Sequence, residues 1–495
     1  MGSAVSTSKL IKPVEGDGPL YGRLLLSLET AIQEGRLAAG ARLPSERDLA
    51  EELGLSRTTV TTAYRELEAR GLVRGHVGRG TFVCAPPQAD EAPFAWRGKV
   101  SLRVQRSNDR DFHALLQDST NPALISFAAG CPALDLFPFE AYQRIAQQVM
   151  KREGTRVLGL APAEGQPALR QALAARMDVA VEKILVVSGS QQALDLLARC
   201  LLDPGDTVLM ERPCYVGAIR SFRAAGANLA GWDVSRNDLD ELEDLILRYR
   251  PKLLYVNPTF QNPTGRTLGL RDRRDLLKLA ARYRLPVIED DAYRELGYEG
   301  PPPATLRELD EHNVVIYLST FSKALAPGLR LGWIVAGESI VGQLAETKVS
   351  LDHFTEGLGQ LVVAEMLRSG LFDEHLKRLR AEHGRRRDTL VAALRRELPA
   401  RTLEFALPAG GLYLWCRLAA QRESTALLRE ALAAGVAFAN GELFYPDSSG
   451  GRELRLCYSA LPAEKIEEGV RRLARALGSA ELRRPAAVRQ TMPMV

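Results

Sequence analysis

The sequence has 495 residues, of which 46% are hydrophobic and 6% are aromatic, and its formal net charge is +4. This length predicts more than one domain, and the composition is that of an ordinary globular protein. So small a net charge excludes bulk electrostatics as evidence for a nucleic-acid partner, and any such argument must come from a local element.

The cysteine spacing argues against a disulfide-rich or zinc-binding protein, and the apolar runs argue against a membrane protein. The six cysteines are far apart and form no C-x-x-C pair, which favours reduced thiols over a disulfide framework or a zinc site. No apolar run approaches the roughly 18 to 20 residues needed to span a bilayer, and the N-terminus lacks a basic-then-apolar signal pattern. We therefore expect a soluble, cytoplasmic protein with no membrane partner and no metal site.

After an N-terminal tail, residues 1–17, the chain predicts a small helical domain. Apolar residues at intervals of four mark a first amphipathic helix: Leu20, Leu24, Leu28 and Ile32. Ser45 begins an S-x-x-D pattern typical of a helix N-terminus, and Ser56 can cap a third helix whose start carries Arg57 and four threonines. Residues 72–83 alternate around three glycines, which indicates a hairpin. Three helices and a hairpin predict a winged helix-turn-helix.

Three sequence motifs within residues 18–84 resemble those of one known domain family. L-P-S-E-R-x-L-A, G-x-S-R-x-T-V and G-x-G-T-F-V follow one another and resemble the GntR-type regulator domain. The resemblance implies double-stranded operator DNA as a partner, with the start of the third helix in the major groove and the hairpin along the backbone. The residues that it implicates in DNA contact are Arg47, Ser56, Arg57, Thr58 and Gly78. From the residues alone, a helical protein-interaction module is the alternative.

The middle of the chain changes composition twice. Residues 85–122 begin with three prolines within nine residues and show no periodicity, so we predict a semi-extended linker that lets one domain move. Residues 123–480 alternate short apolar runs with helical patterns, which predicts an α/β domain with a mostly parallel sheet. Within it, the basic stretch at 377–387 is expected to be a solvated helix face. Residues 481–495 are assigned to a C-terminal tail.

Lys323 is the centre of a predicted site. It follows hydroxyl residues behind the β-branched run 314–318, and Arg330 comes seven residues later. An amine, hydroxyls and a guanidinium at the end of a strand suit a Schiff base to an aldehyde whose phosphate needs anchoring. Upstream, residues 188–194 mark a change from strand to helix, where a helix N-terminus can bind a phosphate. A serine-capped helix without a ligand explains that second pattern equally well.

The sequence T-F-S-K-A-L-A-P-G-L-R-L-G around Lys323 resembles the lysine motif of fold-type I aminotransferases. The resemblance implies a mostly parallel sheet with a smaller C-terminal α+β subdomain, and pyridoxal 5'-phosphate held by a Schiff base to Lys323. It implies further cofactor contacts along the chain: Ser190, Gln191, Tyr215, Asn262, Asp290, Tyr293, Thr320, Ser322 and Arg330.

Within this set the resemblance implies separate roles. Tyr215 stacks on the pyridine ring, whereas Asn262 and Tyr293 hydrogen-bond the phenolic oxygen. Asp290 faces the pyridine nitrogen, where an ionised carboxylate keeps the ring protonated and able to accept electrons. Asp291 is the competing candidate for that role. Lys323, Asp290 and Tyr293 are thereby implied as the catalytic residues.

Two further positions bear on the substrate and on turnover. Arg455 matches the arginine that binds a substrate α-carboxylate, with Arg452 as a nearby competitor. Five residues before Gly165 the aminotransferases usually have a tyrosine that reaches the neighbouring subunit's phosphate, but this chain has Leu160. Because leucine supplies no hydroxyl, we expect weak or no transaminase turnover even where the cofactor binds.

The order of the parts resembles the MocR/GabR group of transcription regulators. The resemblance implies a homodimer that senses an amino compound or pyridoxal phosphate and repositions paired winged helices on DNA. Two alternatives stay open: a catalytically active aminotransferase with an appended DNA-binding domain, and a DNA-binding scaffold that has lost its cofactor.

Overall fold

The computed structural model describes seven stretches of the chain: residues 19–76, 80–84, 99–101, 110–128, 130–236, 238–419 and 422–481. The chain forms two compact units, which divide between Leu102 and Arg103. Gly78, most of the predicted linker and both predicted tails except Glu481 lie outside the described residues. The predicted domain boundaries stay predictions.

The first unit consists of three helices and an antiparallel hairpin: α1 (Leu20–Gln33), α2 (Glu46–Leu53), α3 (Arg57–Ala69), β1 (Val73–His76) and β2 (Gly80–Val83). The Ser45 side chain accepts a hydrogen bond from the backbone of α2, and Ser56 accepts one from the backbone of α3. Between them, Gly54 ends α2 with a φ of 65°, a left-handed conformation that favours glycine. The predicted winged helix-turn-helix is confirmed.

The second unit is built on a seven-stranded sheet in the order β4-β10-β9-β8-β7-β5-β6. Its strands are β4 (Ile184–Val187), β5 (Thr207–Arg212), β6 (Asn228–Asp233), β7 (Leu253–Val256), β8 (Val287–Asp290), β9 (Val315–Thr320) and β10 (Gly332–Val335). β10 is antiparallel to both neighbours, and the other pairs are parallel. The five strands from β4 to β7 in sheet order are buried at every residue, as expected when both faces are covered.

Helices flank the sheet and precede it. They are α4 (Arg110–Thr120), α5 (Phe139–Glu153), α6 (Pro167–Met177), α7 (Ser190–Leu201), α8 (Val216–Ala224), α9 (Leu239–Tyr249), α10 (Leu270–Arg282), α11 (Leu306–Leu309), α12 (Glu338–Val349) and α13 (Gly357–Arg368). Apolar clusters fill the space between the sheet and these helices.

The C-terminal part forms the predicted α+β subdomain. Its elements are α14 (Leu371–Glu397), β11 (Leu403–Phe405), β12 (Tyr413–Leu418), α15 (Ser424–Ala433), β13 (Val436–Ala437), β14 (Ala439–Asn440), β15 (Glu453–Cys457) and α16 (Ala463–Glu481). The antiparallel sheet β11-β12-β15-β14 packs with α14 and α16 around one apolar cluster. The short strand β3 (Ile125–Ser126) pairs with β13 in parallel, so the start of the second unit is joined to its end.

Helix α4 differs from the expectation, because it lies within the residues predicted to be a linker. Leu115 is buried in a cluster with Val216 and Phe444. The guanidinium of Arg220 lies 4.1 Å from the centroid of the Phe112 ring. These partners are about a hundred or more positions away in sequence, so no local pattern could reveal that this helix has something to pack on.

The sheet brings five predicted site residues to one edge. Ser190 begins α7 after β4, Tyr215 follows β5, and Asn262 follows β7. Asp290 ends β8, and Lys323 comes three residues after β9. The carboxyl ends of parallel strands meet at the same edge of a sheet, which is where ligands bind in open α/β folds.

Candidate functional site

Lys323 lies at the centre of the candidate site. Its Nζ atom donates a 2.7 Å hydrogen bond to the carbonyl oxygen of Gly130. Removal of water from around the amine lowers the pKa of Lys323. A lower pKa raises the fraction of neutral amine, which is the form that attacks a carbonyl carbon.

Asp290, and not Asp291, faces this lysine. Tyr255 donates a 2.7 Å hydrogen bond to Asp290 Oδ2, while Oδ1 has no hydrogen-bond partner among the described residues. Burial raises the pKa of Asp290 to about 7, against the opposing effects of the Tyr255 hydrogen bond and of Lys323. The next residue of a strand points to the opposite face, and Asp291 accordingly lies near Arg273.

Four buried side chains form a connected chain beside the lysine. Arg455 Nη1 donates to Asn262 Oδ1 at 2.8 Å, and Asn262 Nδ2 donates to the Tyr293 hydroxyl at 3.1 Å. The hydroxyls of Tyr293 and Tyr413 are 3.1 Å apart, and the Arg455 guanidinium lies 4.1 Å from the centroid of the Tyr413 ring. Arg455 Nη2 also donates to the carbonyl oxygen of Ala128 at 2.8 Å. This network of contacts links Arg455, the predicted ligand of a substrate carboxylate, to Tyr293, the predicted partner of the cofactor's phenolic oxygen.

The structure separates the two arginine candidates. Arg455 is 4% exposed, and its Nε atom is buried without a hydrogen-bond partner in the part of the chain that the structure describes. Arg452 instead donates to the carbonyl oxygens of Leu418 and Ala419, at 2.8 and 3.2 Å. Arg452 is therefore used to hold the backbone, which favours Arg455 as the ligand-binding residue.

The predicted phosphate end contains a close approach between a loop and a guanidinium. Arg330 Nη2 donates to the carbonyl oxygen of Ser188 at 2.7 Å. Gly189 has a φ of 84°, and a β-carbon there would lie 2.8 Å from the same Nη2 atom. Glycine is therefore favoured by the backbone conformation, and a side chain there would push the Arg330 guanidinium away from the loop. Ser190 then begins α7, whose free N–H groups and dipole favour an anion.

Thr320 and Ser322, the two hydroxyl residues predicted to bind the phosphate near Lys323, make different hydrogen bonds. Thr320 donates its proton to the carbonyl oxygen of Leu331 at 2.9 Å, so this hydroxyl ties the ends of β9 and β10 together. Ser322 lies with its hydroxyl oxygen 2.9 Å from that of Thr320. Since a hydroxyl has one proton, Ser322 is the better placed of the two to donate to a phosphate.

Tyr215 and Gln191 lie together on the same side of the site. The Tyr215 hydroxyl is 3.4 Å from Gln191 Oε1, and Gln191 Nε2 donates to the Ser221 hydroxyl at 2.7 Å. A β-carbon at Gly217 would lie 2.4 Å from the Tyr215 ring, so glycine gives the ring its place. Burial and the nearby carboxylate of Asp290 raise the pKa of Tyr215 to about 12.

Three of the predicted DNA-contact residues, Ser56, Arg57 and Thr58, lie at the start of α3, and Arg47 lies in the first turn of α2. Arg47 and Thr58 are exposed. Arg57 is exposed with its Nε atom 3.8 Å from Glu46 Oε2, an oxygen that also accepts a 2.8 Å hydrogen bond from Thr61. Ser56 uses its hydroxyl to cap the helix. Arg57 is thus an exposed cation of this group, held toward the helix start by Glu46.

Sequence reasoning missed three residues of the lysine site. Tyr255 and Tyr413 lie within apolar strands, where they read as core residues, and Gly130 carries no side chain to notice. One signal was available for the tyrosines. A buried tyrosine needs a partner for its hydroxyl, so a tyrosine inside a strand that approaches a predicted site is a candidate for that site.

The site fits a phosphorylated pyridine aldehyde. Lys323 supplies a partly dehydrated amine, and the unpartnered Oδ1 atom of Asp290 supplies a buried acceptor for a ring N–H. Gly189 and Arg330 form a positively charged cradle at the start of α7. An amine, a buried acceptor and an anion cradle at one edge match the aldehyde, the ring nitrogen and the phosphate.

Two regions of the chain match known families. Residues 123–473 match aminotransferase class I and II, and residues 20–83 match the bacterial regulatory proteins of the gntR family. The probable rhizopine catabolism regulatory protein MocR of Rhizobium meliloti is 33% identical over 473 residues, 94% of this chain and 95% of that protein. The chain belongs to the MocR-type regulators. Such regulators join a GntR helix-turn-helix to a fold-type I aminotransferase domain.

The MocR-type chain is also similar to enzymes. The 2-aminoadipate transaminase of Thermus thermophilus is 39% identical over 78% of this chain and 98% of that protein. The crystal structure of LysN, an alpha-aminoadipate aminotransferase from the same organism, complexed with N-(5'-phosphopyridoxyl)-L-leucine, has a TM-score of 0.75 at 37% identity. The match covers 78% of this chain and 99% of the LysN chain. Fold-type I aminotransferases depend on pyridoxal phosphate, so the predicted cofactor is that of the family.

The described residues include neither a membrane-spanning helix nor a cluster of side chains suited to a metal ion. No helix within the described residues has the length and apolar character to cross a membrane. Over the same residues, no group of three or more His, Cys, Asp and Glu side chains could hold a metal ion.

Proposed function

We propose that this MocR-type chain is a transcription regulator that binds operator DNA and responds to an amino compound, or to pyridoxal phosphate itself, at the Lys323 site. The observation that carries the proposal is that one chain holds both a GntR-family DNA-binding domain and a site that brings Lys323, Asp290 and Arg455 together. Because the DNA-binding domain is in the same chain, ligand binding at the lysine site can be coupled to operator binding.

The residues of the site divide the work of holding the cofactor. Arg330, Ser190 and Ser322 hold the phosphate, while Asp290 and Tyr293 hold the ring at the nitrogen and the phenolic oxygen. Pyridoxal phosphate, when bound, supplies an aldehyde that forms an imine with a primary amine and a ring that withdraws electrons. Tyr255 keeps Asp290 turned toward the ring by its hydrogen bond.

The amino compound is recognised by its charge. Arg455 binds a carboxylate through its guanidinium, which is dry and already oriented by Asn262. A carboxylate in this position lies close to Tyr413 and Lys323, so the amine and the acid of one small molecule can be bound together. An amino acid is therefore the effector class that these residues suit best.

We propose further that the chain acts as a homodimer. Leu158 and Leu160 lie on one loop and are 86% and 91% exposed, which is unusual for neighbouring leucines unless another surface covers them. A second copy of the chain is the partner that the fold-type I resemblance implies. Leu160 then meets the neighbouring site without a hydroxyl to offer, which supports weak turnover.

A catalytically active aminotransferase is the second candidate. It is favoured by the retained Lys323, Asp290, Tyr293 and Arg455, which lie together in one buried site. It is also favoured by the similarity to 2-aminoadipate transaminase. The two candidates differ in whether DNA affinity depends on the ligand.

One experiment tests the proposal. Amino acids and pyridoxal phosphate are titrated into the full chain while the visible absorbance and the binding of a mapped operator are followed together. We expect ligand-dependent operator affinity in the wild type and none in Lys323→Ala. Rapid transamination combined with operator affinity that no ligand changes would instead support the enzyme.

A further inference from the structure

Tyr413 has two contacts at the lysine site, and no role follows for it from the family resemblance. Its hydroxyl is 3.1 Å from that of Tyr293, its ring faces the guanidinium of Arg455, and it is 1% exposed. A β-carbon at Gly130 would lie 2.5 Å from the Tyr413 hydroxyl and 3.7 Å from Lys323 Nζ. The lack of a side chain at Gly130 therefore makes room for this hydroxyl close to the reactive amine.

We propose that Tyr413 is a positioning residue that sets both the hydroxyl of Tyr293 and the guanidinium of Arg455. The proposal rests on the proposed function, since both partners act there on the cofactor or on its ligand. One side chain thus couples the ring end of the site to the carboxylate end.

The hydroxyl of Tyr413 determines where the single proton of Tyr293 points. Tyr293 accepts a 3.1 Å hydrogen bond from Asn262 Nδ2 and has a single proton of its own. If Tyr293 gives this proton to Tyr413, it has none for a third group. Tyr293 can therefore donate to a cofactor oxygen only when Tyr413 is the donor within the pair. The Tyr413 hydroxyl then fixes the direction of the Tyr293 proton.

The ring of Tyr413 acts on Arg455. A dry guanidinium needs compensation for its lost hydration, and an aromatic face at 4.1 Å provides part of it without using an N–H group. Two guanidinium nitrogens already donate to Asn262 and Ala128. Because the ring uses none of the N–H groups, the buried Nε atom, which has no partner among the described residues, stays free to donate to a ligand.

The first test uses Tyr413→Phe, which removes the hydroxyl and keeps the ring. We expect the pH midpoint of the chromophore formed with pyridoxal phosphate to rise by about 0.5 to 1 unit, the equivalent of one net hydrogen bond. The direction follows because a weaker donor from Tyr293 stabilises the anionic phenolic oxygen less. Tyr458→Phe is the matched control, because its hydroxyl is in a buried tyrosine pair with Tyr298 away from the lysine.

The second test uses Tyr413→Met, which fills the space without an aromatic face. The probes are L-leucine and leucinol, which lacks the carboxylate, and binding is followed by the change in chromophore absorbance. We expect the preference for leucine to fall at least about tenfold further in Tyr413→Met than in Tyr413→Phe. Should the Met variant fail to fold, Tyr413→Leu, which also removes the aromatic face, is compared with Tyr413→Phe in its place.

The outcomes separate this inference from the proposed function. A wild type that forms no chromophore with pyridoxal phosphate would overturn the proposed function itself. A wild type with a normal chromophore, but a Tyr413→Phe midpoint equal to that of the wild type or of Tyr458→Phe, would overturn only the role of the hydroxyl. Equal leucine preference in the Phe and Met variants would overturn the role of the ring.

Discussion

Tyr255 holds Asp290 through a 2.7 Å hydrogen bond between two buried side chains. The bond occupies one carboxylate oxygen and leaves the other without a hydrogen-bond partner among the described residues. Tyr255 lies on β7 and Asp290 on β8, so the pairing of two neighbouring strands sets the direction of the carboxylate. The interaction fixes the direction of the second carboxyl oxygen before any ligand enters.

We predict that Tyr255→Phe weakens binding of pyridoxal phosphate. Loss of a hydrogen bond to a charged group costs about 1.5 to 3 kcal/mol, equivalent to about ten- to hundredfold in affinity. Absorbance titration with the cofactor measures the change. Tyr283→Phe is a matched control, because Tyr283 also donates to a carboxylate, Glu243, but outside the site. Equal cofactor affinity in wild type and Tyr255→Phe would contradict the positioning role.

Asp290 also predicts a dependence of stability on pH. Its pKa is raised from 3.8 to about 7, mainly by burial. The folded protein therefore keeps a proton that the unfolded chain releases, so this group's contribution to stability is fully present below pH 3.8 and is lost as the pH rises through 7. Without added cofactor, we expect Asp290→Asn to melt above the wild type at about pH 8, with the difference shrinking at about pH 5.

Calorimetry across this range measures the effect. Asp244→Asn changes an exposed aspartate on α9 and serves as the control. A difference between Asp290→Asn and wild type that is the same at both ends of the range would rule out titration of Asp290 as its cause.

We predict that borohydride attaches pyridoxal phosphate to Lys323. The amine is the nucleophile that the site provides, and its lowered pKa favours attack on the aldehyde. Peptide mass spectrometry after reduction should locate the adduct at Lys323, and Lys323→Ala should remain colourless. Lys278→Ala, which changes an exposed lysine, should keep the colour. Labelling spread over several lysines would count against a specific site.

We predict that Arg57→Ala weakens operator binding and leaves the cofactor spectrum unchanged. Loss of one good base contact costs about 1 to 3 kcal/mol. Fluorescence anisotropy with a mapped operator measures the loss. Arg70→Ala is the control in the same helical unit, because Arg70 is paired with Glu29 at the other end of α3. A larger loss from Arg70→Ala than from Arg57→Ala would move the DNA contact away from the start of α3.

The fold class and the lysine site could be predicted because both depend on local patterns. Alternating apolar runs reflect buried strands, and short motifs at strand ends supply residues that the sheet then gathers at one edge. Tyr413 could not be found this way, since its partners Tyr293 and Arg455 come from the loop after β8 and from β15. Only the tertiary structure brings these three together.

The basic stretch in α14 is a second feature whose environment could not be predicted from the sequence. The solvated face expected there is wrong for Arg386 and Arg387, which are 1% and 7% exposed. Arg386 donates to the carbonyl oxygen of Ser459, and Arg387 pairs with Glu299 at 2.8 Å. A helical pattern of charges cannot reveal that carbonyls and carboxylates from distant segments will enclose two of them.

We predict that Leu160→Tyr raises transaminase turnover. Leu160 is 91% exposed within one chain. The resemblance to aminotransferases implies a tyrosine at this position that reaches the neighbouring subunit's phosphate. A restored hydroxyl adds a charge-assisted hydrogen bond, which is worth about 1.5 to 3 kcal/mol when it is made in the transition state. Turnover should therefore rise by about tenfold or more from a wild-type value well below the roughly 10 per second typical of enzymes.

Leu158→Tyr provides the matched control, because Leu158 lies two residues earlier on the same loop and is 86% exposed. Steady-state transamination of L-2-aminoadipate compares the three proteins, and analytical ultracentrifugation shows whether each is a dimer. A gain confined to Leu160→Tyr in a dimer supports both the interface position of residue 160 and the missing hydroxyl as the cause of weak turnover. A brisk wild type, or an equal gain from both substitutions, would mean that Leu160 does not limit the reaction.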